Sequence, residues 1–509
     1  MSYYFRAAGN APLDLSNNAG AKSTATWATL VGLLLFAVLW IGQLWMVSIA
    51  PPEDNIEQII WTGSLEWGYY KHPPLPTWLL WPLVKIFGQH PSLTFVMAGL
   101  TSLGAIAMMW RLLYRLRGSQ YALAALLAAL CITYYNRRLD VYNHDTVLMV
   151  IVSLSAILTW KAHRSGQLQW WAALGLCLGL GAITKYQIAV TMTCTLAFWI
   201  YVRGWRKAES KRGFVAMCAV ISIVFLPHAI WMVQHDFAPI RYAMGSSLGA
   251  NSDAVERMRS ASHWLAEQVF NRMAPTWLFL ICASVLLRFM GPAAANRSAA
   301  DASPSHRESR ALLIIWGLLP LAFMPFVALV MGSHLQLRWA SPFLIFAVPA
   351  VFEILNLKLT KQNTAPHANL LSYFVQPLVV SFIVVQGLLL TASFLHSSGS
   401  TASLLANRSK KIDPNRLAQV LEAPARSALG GKICLVSGNT EIAGGLALVL
   451  SDHPGVLVDG QLNRSPWLTN DALRNCGILE LSLNSNDPTF IALGPQFYDL
   501  SWRAIPPKP

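Results

Sequence analysis

Apolar runs long enough, or nearly long enough, to cross a bilayer recur along the first four-fifths of this chain. They are Trp27–Ile49, Ser92–Tyr114, Tyr121–Tyr135, Thr146–Lys161, Trp170–Thr184, Ile188–Val202, Phe214–Trp231, Pro275–Phe289, Leu312–Met331, Ala340–Leu355 and Leu370–Leu395. A helix needs roughly 20 apolar residues to span the hydrocarbon. Inside lipid the backbone must satisfy its own hydrogen bonds, which leaves helices as the economical answer for such runs. Only 12% of the residues are charged, against about 25% in soluble globular proteins, and the mean hydropathy is +0.43. The sequence therefore predicts a polytopic α-helical membrane protein with about eleven spans. The first run is too long for the h-region of a signal peptide, and Pro51 directly follows the Ser48-Ile-Ala50 box. It reads as a retained span preceded by a cytoplasmic tail, residues 1–26.

The net charge of +14 does not call for nucleic acid as a partner. Lys and Arg concentrate in every second loop, for example Arg111, Arg115 and Arg117, then Arg203, Arg206, Lys207, Lys211 and Arg212. Cytoplasmic loops carry that excess, so the N-terminus is expected inside and the C-terminus on the outer, periplasmic side. The outer loops nevertheless hold Lys71, Lys85, Arg137, Arg138, Lys185, Arg241, Arg257, Arg259, Arg272 and Arg338. Neutralising a phosphate at the membrane surface is a natural task for them. Gly175, Gly179 and Gly181 suit close helix packing, and Gly291–Arg310 reads as a flexible inner loop.

From about residue 397 the composition changes. Gly431–Gly438, Gly455–Asp459, Gly477–Leu483 and Thr489–Gly494 read as strands, Asn415–Leu429 and Thr440–Leu450 as helices. This predicts a small α/β domain over 397–509. With that domain outside the cytoplasm, Cys434 and Cys476 could pair.

The outer loop 50–91 carries the densest chemistry. Glu53, Asp54, Glu57, Glu66, Lys71 and His72 fall among Trp61, Trp67, Tyr69 and Tyr70. Asp54 and Glu57 stand at helical spacing, with Ile56, Ile59 and Ile60 facing the other way, as in an amphipathic juxtamembrane helix on the membrane surface. The aromatic residues suit either an interfacial belt or stacking on a sugar. Composition alone leaves a plain solvated loop as an equal reading.

Asp54-Asn-Ile-Glu57-Gln58 followed by Trp67-Gly-Tyr69-Tyr70-Lys71-His72-Pro-Pro-Leu-Pro-Thr-Trp78 resembles the first-loop signature of GT-C glycosyltransferases related to protein O-mannosyltransferases. These include the lipid A aminoarabinose and galacturonic acid transferases. Asn143-His144-Asp145, Leu178 to Tyr186, Trp231 to Phe237 and His334 to Trp339 are similar to later family segments. The resemblance implies a GT-C membrane domain over 27–396 and a polyprenyl-phosphate sugar donor. The acceptor would be a lipid, glycan or protein, with inversion at the anomeric carbon. It implies Asp54 as the base or acceptor-orienting residue. This chain has Asn55 where the family often has Glu, which leaves the subfamily open. Asp145, at the mouth of a span, is the second catalytic candidate. Lys71, His72, Lys185, Arg241 and Arg338 are candidates to stabilise the leaving phosphate, while Glu57, Tyr69, Tyr186 and His334 are further substrate-binding candidates. No cofactor is required; a divalent metal held by Glu, Asp and His across the outer loops stays open. The rival function is a transporter or flippase of a lipid-linked glycan, which should place ionisable residues near the midplane.

Overall fold

The computed structural model describes residues 15–246, 253–289, 303–355, 370–397, 412–483, 485 and 487–507. Among the described residues the membrane part is built of helices joined by loops, and the tail carries a small sheet, as expected. All eleven apolar runs overlap helical structure, but they differ in kind. Among the described residues, the helices long and apolar enough to cross a membrane alone are Thr26–Val47, Pro91–Arg117, His144–Ser165, Ala208–Gln234, Pro304–Met331 and Val375–Leu395. A seventh crossing exists if Ala254–Arg272 and Ala274–Phe289, bent by 43° at a break, count as one span. Ser119–Leu130, Leu168–Ala182 and Ile188–Tyr201 are shorter. At about 1.5 Å per residue they stop short of the roughly 30 Å hydrocarbon thickness. The run Ala340–Leu355 folds as two 3-10 turns and the helix Ala347–Ile354. It is apolar because it lies in the protein core, where Leu344, Ile345, Phe346 and Val348 are fully buried.

The short helix Leu168–Ala182 packs on Ala208–Gln234 through its glycines. A Cβ on Gly175 would lie 2.7 Å from the Met217 carbonyl oxygen, so the two backbones approach as the small-residue spacing predicts. At the C-terminal end of Pro91–Arg117, Arg117 grips Glu353 through two hydrogen bonds of 2.8 and 3.1 Å and also donates to the Ser309 hydroxyl. Tyr121 donates to the same carboxylate. A residue counted from sequence as a topology charge is thus a buried clamp among three helices. The segment 290–302 of the expected inner loop lies outside the described residues. Its continuation is ordered earlier than predicted: Ser303 caps Pro304–Met331 by accepting from the His306 N–H.

In the tail the strands are β1 Leu435–Gly438, β2 Gly455–Val458, β3 Ile478–Leu483, β4 Ile491–Ala492 and β5 Leu500–Ile505. The sheet order is β2-β1-β3-β5-β4. β1 lies parallel to β2 and β3, while β5 is antiparallel to β3 and β4. The sequence reading missed β5, which lacks flanking turn signals beyond Tyr498-Asp499. The helix Pro414–Leu429 starts at an Asp413 cap. Residues 398–411, where the tail domain was expected to begin, lie outside the described residues. Cys434 and Cys476 are both free thiols.

The first-loop helix forms, as Glu53–Trp61, but it does not lie on the membrane with its isoleucines in lipid. Ile56 and Ile60 are buried in one cluster with Leu417, Leu421, Ala443 and Leu446 of the tail domain. Ile59 packs instead with Leu75, Leu80, Tyr142 and Ile183 of the membrane part. The helix is clamped between the two layers. The clamp depends on Gly444, whose hydrogen faces Ile60; an added Cβ there would also come within 2.6 Å of Ile56 Cγ2.

Candidate functional site

Clamping this helix fixes Asp54 and Glu57 on one wall of a cavity of about 340 Å³. Lys71 and His72 reach the same cavity from the chain that returns after the helix. Asp145, Lys185, Tyr186 and Arg338 line it from three further segments. The sequence thus named residues that lie far apart in the chain and meet in space.

Asn143 builds much of this wall. Its side-chain oxygen caps the helix His144–Ser165, accepting from the N–H groups of Asp145 (2.9 Å) and Thr146 (3.1 Å), and Thr146 completes a capping box. Its amide nitrogen meanwhile donates to Asp54 Oδ2 at 2.8 Å. Arg338 donates to the same oxygen at 2.8 Å. Asp54 Oδ1 has no hydrogen-bond partner among the described residues, so one carboxylate oxygen is held and the other is open. The neighbouring Asn55 is fully buried: it donates to Thr94 and the Asp140 carbonyl and accepts from the Tyr142 N–H. An amide serves this double role where a carboxylate would lack the donors, so Asn55 is fixed by its own contacts.

Two further pairs complete the site. Lys71 Nζ lies 2.7 Å from Glu57 Oε2 and Lys185 Nζ 2.6 Å from Asp145 Oδ1. Burial would raise the Asp54 carboxyl, but Arg338, Lys71 and the Asn143 hydrogen bond outweigh it and hold the group below its ordinary value. Asp54 stays ionised. Burial wins at Glu57 and pushes it up to about 7 despite Lys71. Burial opposes the charge on Lys71 as well, yet Glu57, Tyr242 and Asp54 offset it and Lys71 remains a cation. Burial, reinforced by His144, Lys71 and Lys185, holds His72 well below its ordinary value. His72 is therefore neutral near pH 7, and it lines the cavity as a hydrogen-bonding group rather than a cation. The His144 ring lies 4.2 Å from it and donates to the Pro73 carbonyl.

The opposite wall is apolar: Ala189, Val190, Phe323, Met324, Val327 and Met331. Tyr186 stands between the walls. It donates to His228 Nε2 at 2.9 Å, because His228 Nδ1 is spent on the Trp67 carbonyl.

Three expected residues are not brought to the cavity. Tyr69 is buried beneath the loop, stacked on Trp61 at 4.3 Å and donating to the Ser64 carbonyl. Arg241 is exposed and faces Asp236 at 4.0 Å. His334 is exposed beside Ser260, although its neighbours Ser333 and Leu335 line the wall. Sequence reasoning gave no role to Asn143, Gln58, Tyr242 or Trp339, all lining residues. A capping signal, Asn143 before an apolar run with Thr146 three residues on, was there to be read. Among the described residues no group of three His, Cys, Asp or Glu side chains is placed to hold a metal ion.

The dolichyl-phosphate-mannose-protein mannosyltransferase family model matches residues 71–231. ArnT from Cupriavidus metallidurans, solved with undecaprenyl phosphate bound, superposes with a TM-score of 0.59. The match covers 93% of this chain and 97% of that one at 14% identity. The chain has the GT-C fold. The apo form of the same ArnT superposes with a TM-score of 0.60 at 12% identity, over 95% of this chain. Two curated proteins of Rhizobium johnstonii are similar to this GT-C chain in sequence. The lipopolysaccharide core galacturonosyltransferase RgtA is 24% identical over 64% of this chain. The lipid A galacturonosyltransferase RgtD is 22% identical over 39%. The chain spans 64% of the length of the first and 42% of the second.

Proposed function

We propose that the protein is an inverting glycosyltransferase. It moves a sugar from a polyprenyl-phosphate donor onto lipid A or the lipopolysaccharide core at the periplasmic face of a bacterial inner membrane. The observation that carries this reading is the cavity itself: an ionised Asp54 with one open oxygen, three cation–carboxylate pairs on one wall and a hydrocarbon surface on the other. Only a substrate with a charged head and an apolar tail uses both walls. The names of the two curated relatives support galacturonic acid as the sugar.

The chemistry follows from the groups present. An acceptor hydroxyl attacks the anomeric carbon on the face opposite the leaving group, as inversion demands. The carbon–oxygen bond to phosphate breaks and its electron pair stays on the phosphate. The hydroxyl proton passes to Asp54 Oδ1. A carboxylate held low in pKa is a modest base, but the attacking hydroxyl becomes acidic as its bond to carbon forms, so a late transfer suffices. The departing phosphate gains charge, and Lys185, Lys71 and Arg338 stabilise that charge in a water-poor site. No step calls for a general acid or a metal.

One observation favours a second base. Glu57, raised to about 7, is matched to neutral pH better than Asp54, and it lines the same cavity. Against the flippase reading stands the clustering of charge at one end of the bundle rather than at its middle. Mass spectrometry of envelope lipids with and without the protein tests the proposal. A lipid A or core species heavier by one sugar, present only with the protein, supports it. An unchanged lipid profile alongside relocated lipid-linked sugar overturns it in favour of a flippase.

A further inference from the structure

We infer that Arg137, Arg138 and Arg272 form a docking site for an acidic group, phosphate or sugar carboxylate, of the glycolipid acceptor. The inference rests on the transferase reading for the identity of the glycolipid, but its structural grounds are separate. None of the three arginines lines the cavity that holds Asp54. Arg137 and Arg138 are exposed on the turn that leads to Asn143. Arg272 ends a π-helical turn, Glu267–Arg272, at the bend between two helices. Such turns recur where a helix is locally distorted for function.

The turn is fixed from beneath. Arg272 lies over the Tyr134 ring, 5.3 Å from its centre. Tyr134 donates to the Leu337 carbonyl at 2.6 Å, and the fully buried Gln268 donates to the same carbonyl at 3.3 Å. Leu337 precedes Arg338, which holds Asp54. The arginine group is thus tied through Tyr134 and one backbone step to the side chain that positions the proposed base.

Its charge is poorly compensated. Arg272 Nε is buried without a hydrogen-bond partner among the described residues. Its carboxylate neighbour, Glu267, stands at 3.9 Å and is already engaged by Asn271 at 2.9 Å. Arg272 sits on the ring of Tyr134, three residues before Arg137, and partial burial, with repulsion from Arg272 added, holds Arg137 below its ordinary value. Arg138 acts in turn on Asp54 and Tyr134. Like charges gathered on an outer surface, where topology disfavours them, are relieved by an anion from outside. Arginine forks suit phosphate and carboxylate, which they hold through two parallel hydrogen bonds. The donor phosphate has its own cations in the cavity, so the remaining anion is the acceptor's. Docking it here would place the acceptor's sugar beside Asp54.

The test measures binding of acceptor to the full-length protein in nanodiscs, with no donor present. The probes are bisphosphorylated lipid A, enzymatically dephosphorylated lipid A, and dephosphorylated lipid A bearing acidic core sugars. Wild-type protein should prefer an acidic form over the uncharged one by about tenfold or more, the loss expected for one charge-assisted contact. Preference for the first probe assigns the site to phosphate, and preference for the third assigns it to carboxylate. Arg137→Gln with Arg272→Gln should abolish the preference, and Arg137→Lys should retain part of it. If Arg272→Gln fails to fold, the exposed Arg137→Gln alone should reduce the preference severalfold. Equal binding of all three probes, or a preference unchanged in the Gln variants, overturns the inference. Since no sugar moves in this assay, its failure leaves the transferase reading standing, and a failed transfer assay leaves this site standing.

Discussion

Asn143→Asp is a one-atom-group change that separates the two jobs this residue performs. Asp caps helices as well as Asn, so the bonds from the Asp145 and Thr146 N–H groups at 2.9 and 3.1 Å should survive. The donor to Asp54 Oδ2, now at 2.8 Å, is replaced by a second carboxylate. A hydrogen bond to a charged group contributes about 1.5–3 kcal/mol, and one pKa unit corresponds to about 1.4 kcal/mol. Losing it, with like-charge repulsion added, should raise the Asp54 pKa by at least one to two units. Asp54 is held below its ordinary value in the native protein, so it is ionised and active above that depressed pKa and inactive below it. Raising the pKa therefore moves the acid limb of kcat/KM for sugar transfer toward neutral pH. The assay is the pH dependence of transfer by reconstituted protein, run beside a thermal melt. Asn143→Ala provides the contrast, since it loses the cap as well and should cost about 1 kcal/mol of stability. An Asn143→Asp profile that superposes on wild type would refute the role given to this hydrogen bond.

Three other outcomes follow from the same geometry. Burial carries Glu57 up to about 7, so the wild-type profile should show an inflection near that pH that Glu57→Gln removes; an inflection that persists belongs to another group. Gly444→Val should overpack the contact with Ile56 and Ile60, at a cost of about 1–3 kcal/mol, and should lower kcat because the displaced helix carries Asp54 and Glu57. A lowered melting point with unchanged transfer would detach the tail domain from the site. Arg117→Leu leaves Glu353 buried without its cation, which should destabilise by about 3–5 kcal/mol while the protein that does fold keeps its substrate KM; Arg117→Leu with Glu353→Leu should recover much of the loss in a melt.

What could be read from the chain alone depended on whether the signal was local. Span lengths, the first-loop helix and the short strands β1 to β3 announce themselves by periodicity and flanking Gly, Asp and Pro. Asp145 and Lys185 were reachable because ionisable residues at the ends of apolar runs are costly unless used; Lys71 and Arg338 stood out as cations in loops where the charge bias disfavours them, and Asp54 was singled out from its neighbouring carboxylates only by the family resemblance. The partner of each charge was not reachable: Arg338 and Asp54 are 284 positions apart, and nothing in one sequence pairs them. Apolarity also cannot say what it faces. Ile56 and Ile60 look lipid-facing on a helical wheel and instead meet a domain nearly 400 residues downstream. Residues Leu344 to Val348 look like a span and are core. His72 reads as a cation until its burial is known, and Tyr69 reads as a sugar platform until Trp61 is seen stacked upon it.

The central claim is that Asp54 takes part in transferring a lipid-linked sugar. Purified protein in nanodiscs would be given polyprenyl-phosphate galacturonic acid and lipid A, and product formation followed by mass spectrometry. The account predicts a glycosylated product with wild type and, with Asp54→Asn, product reduced by at least about 100-fold, within the range for loss of a positioned base, while donor binding and the melting point are retained. Wild-type transfer that Asp54→Asn leaves intact would contradict it.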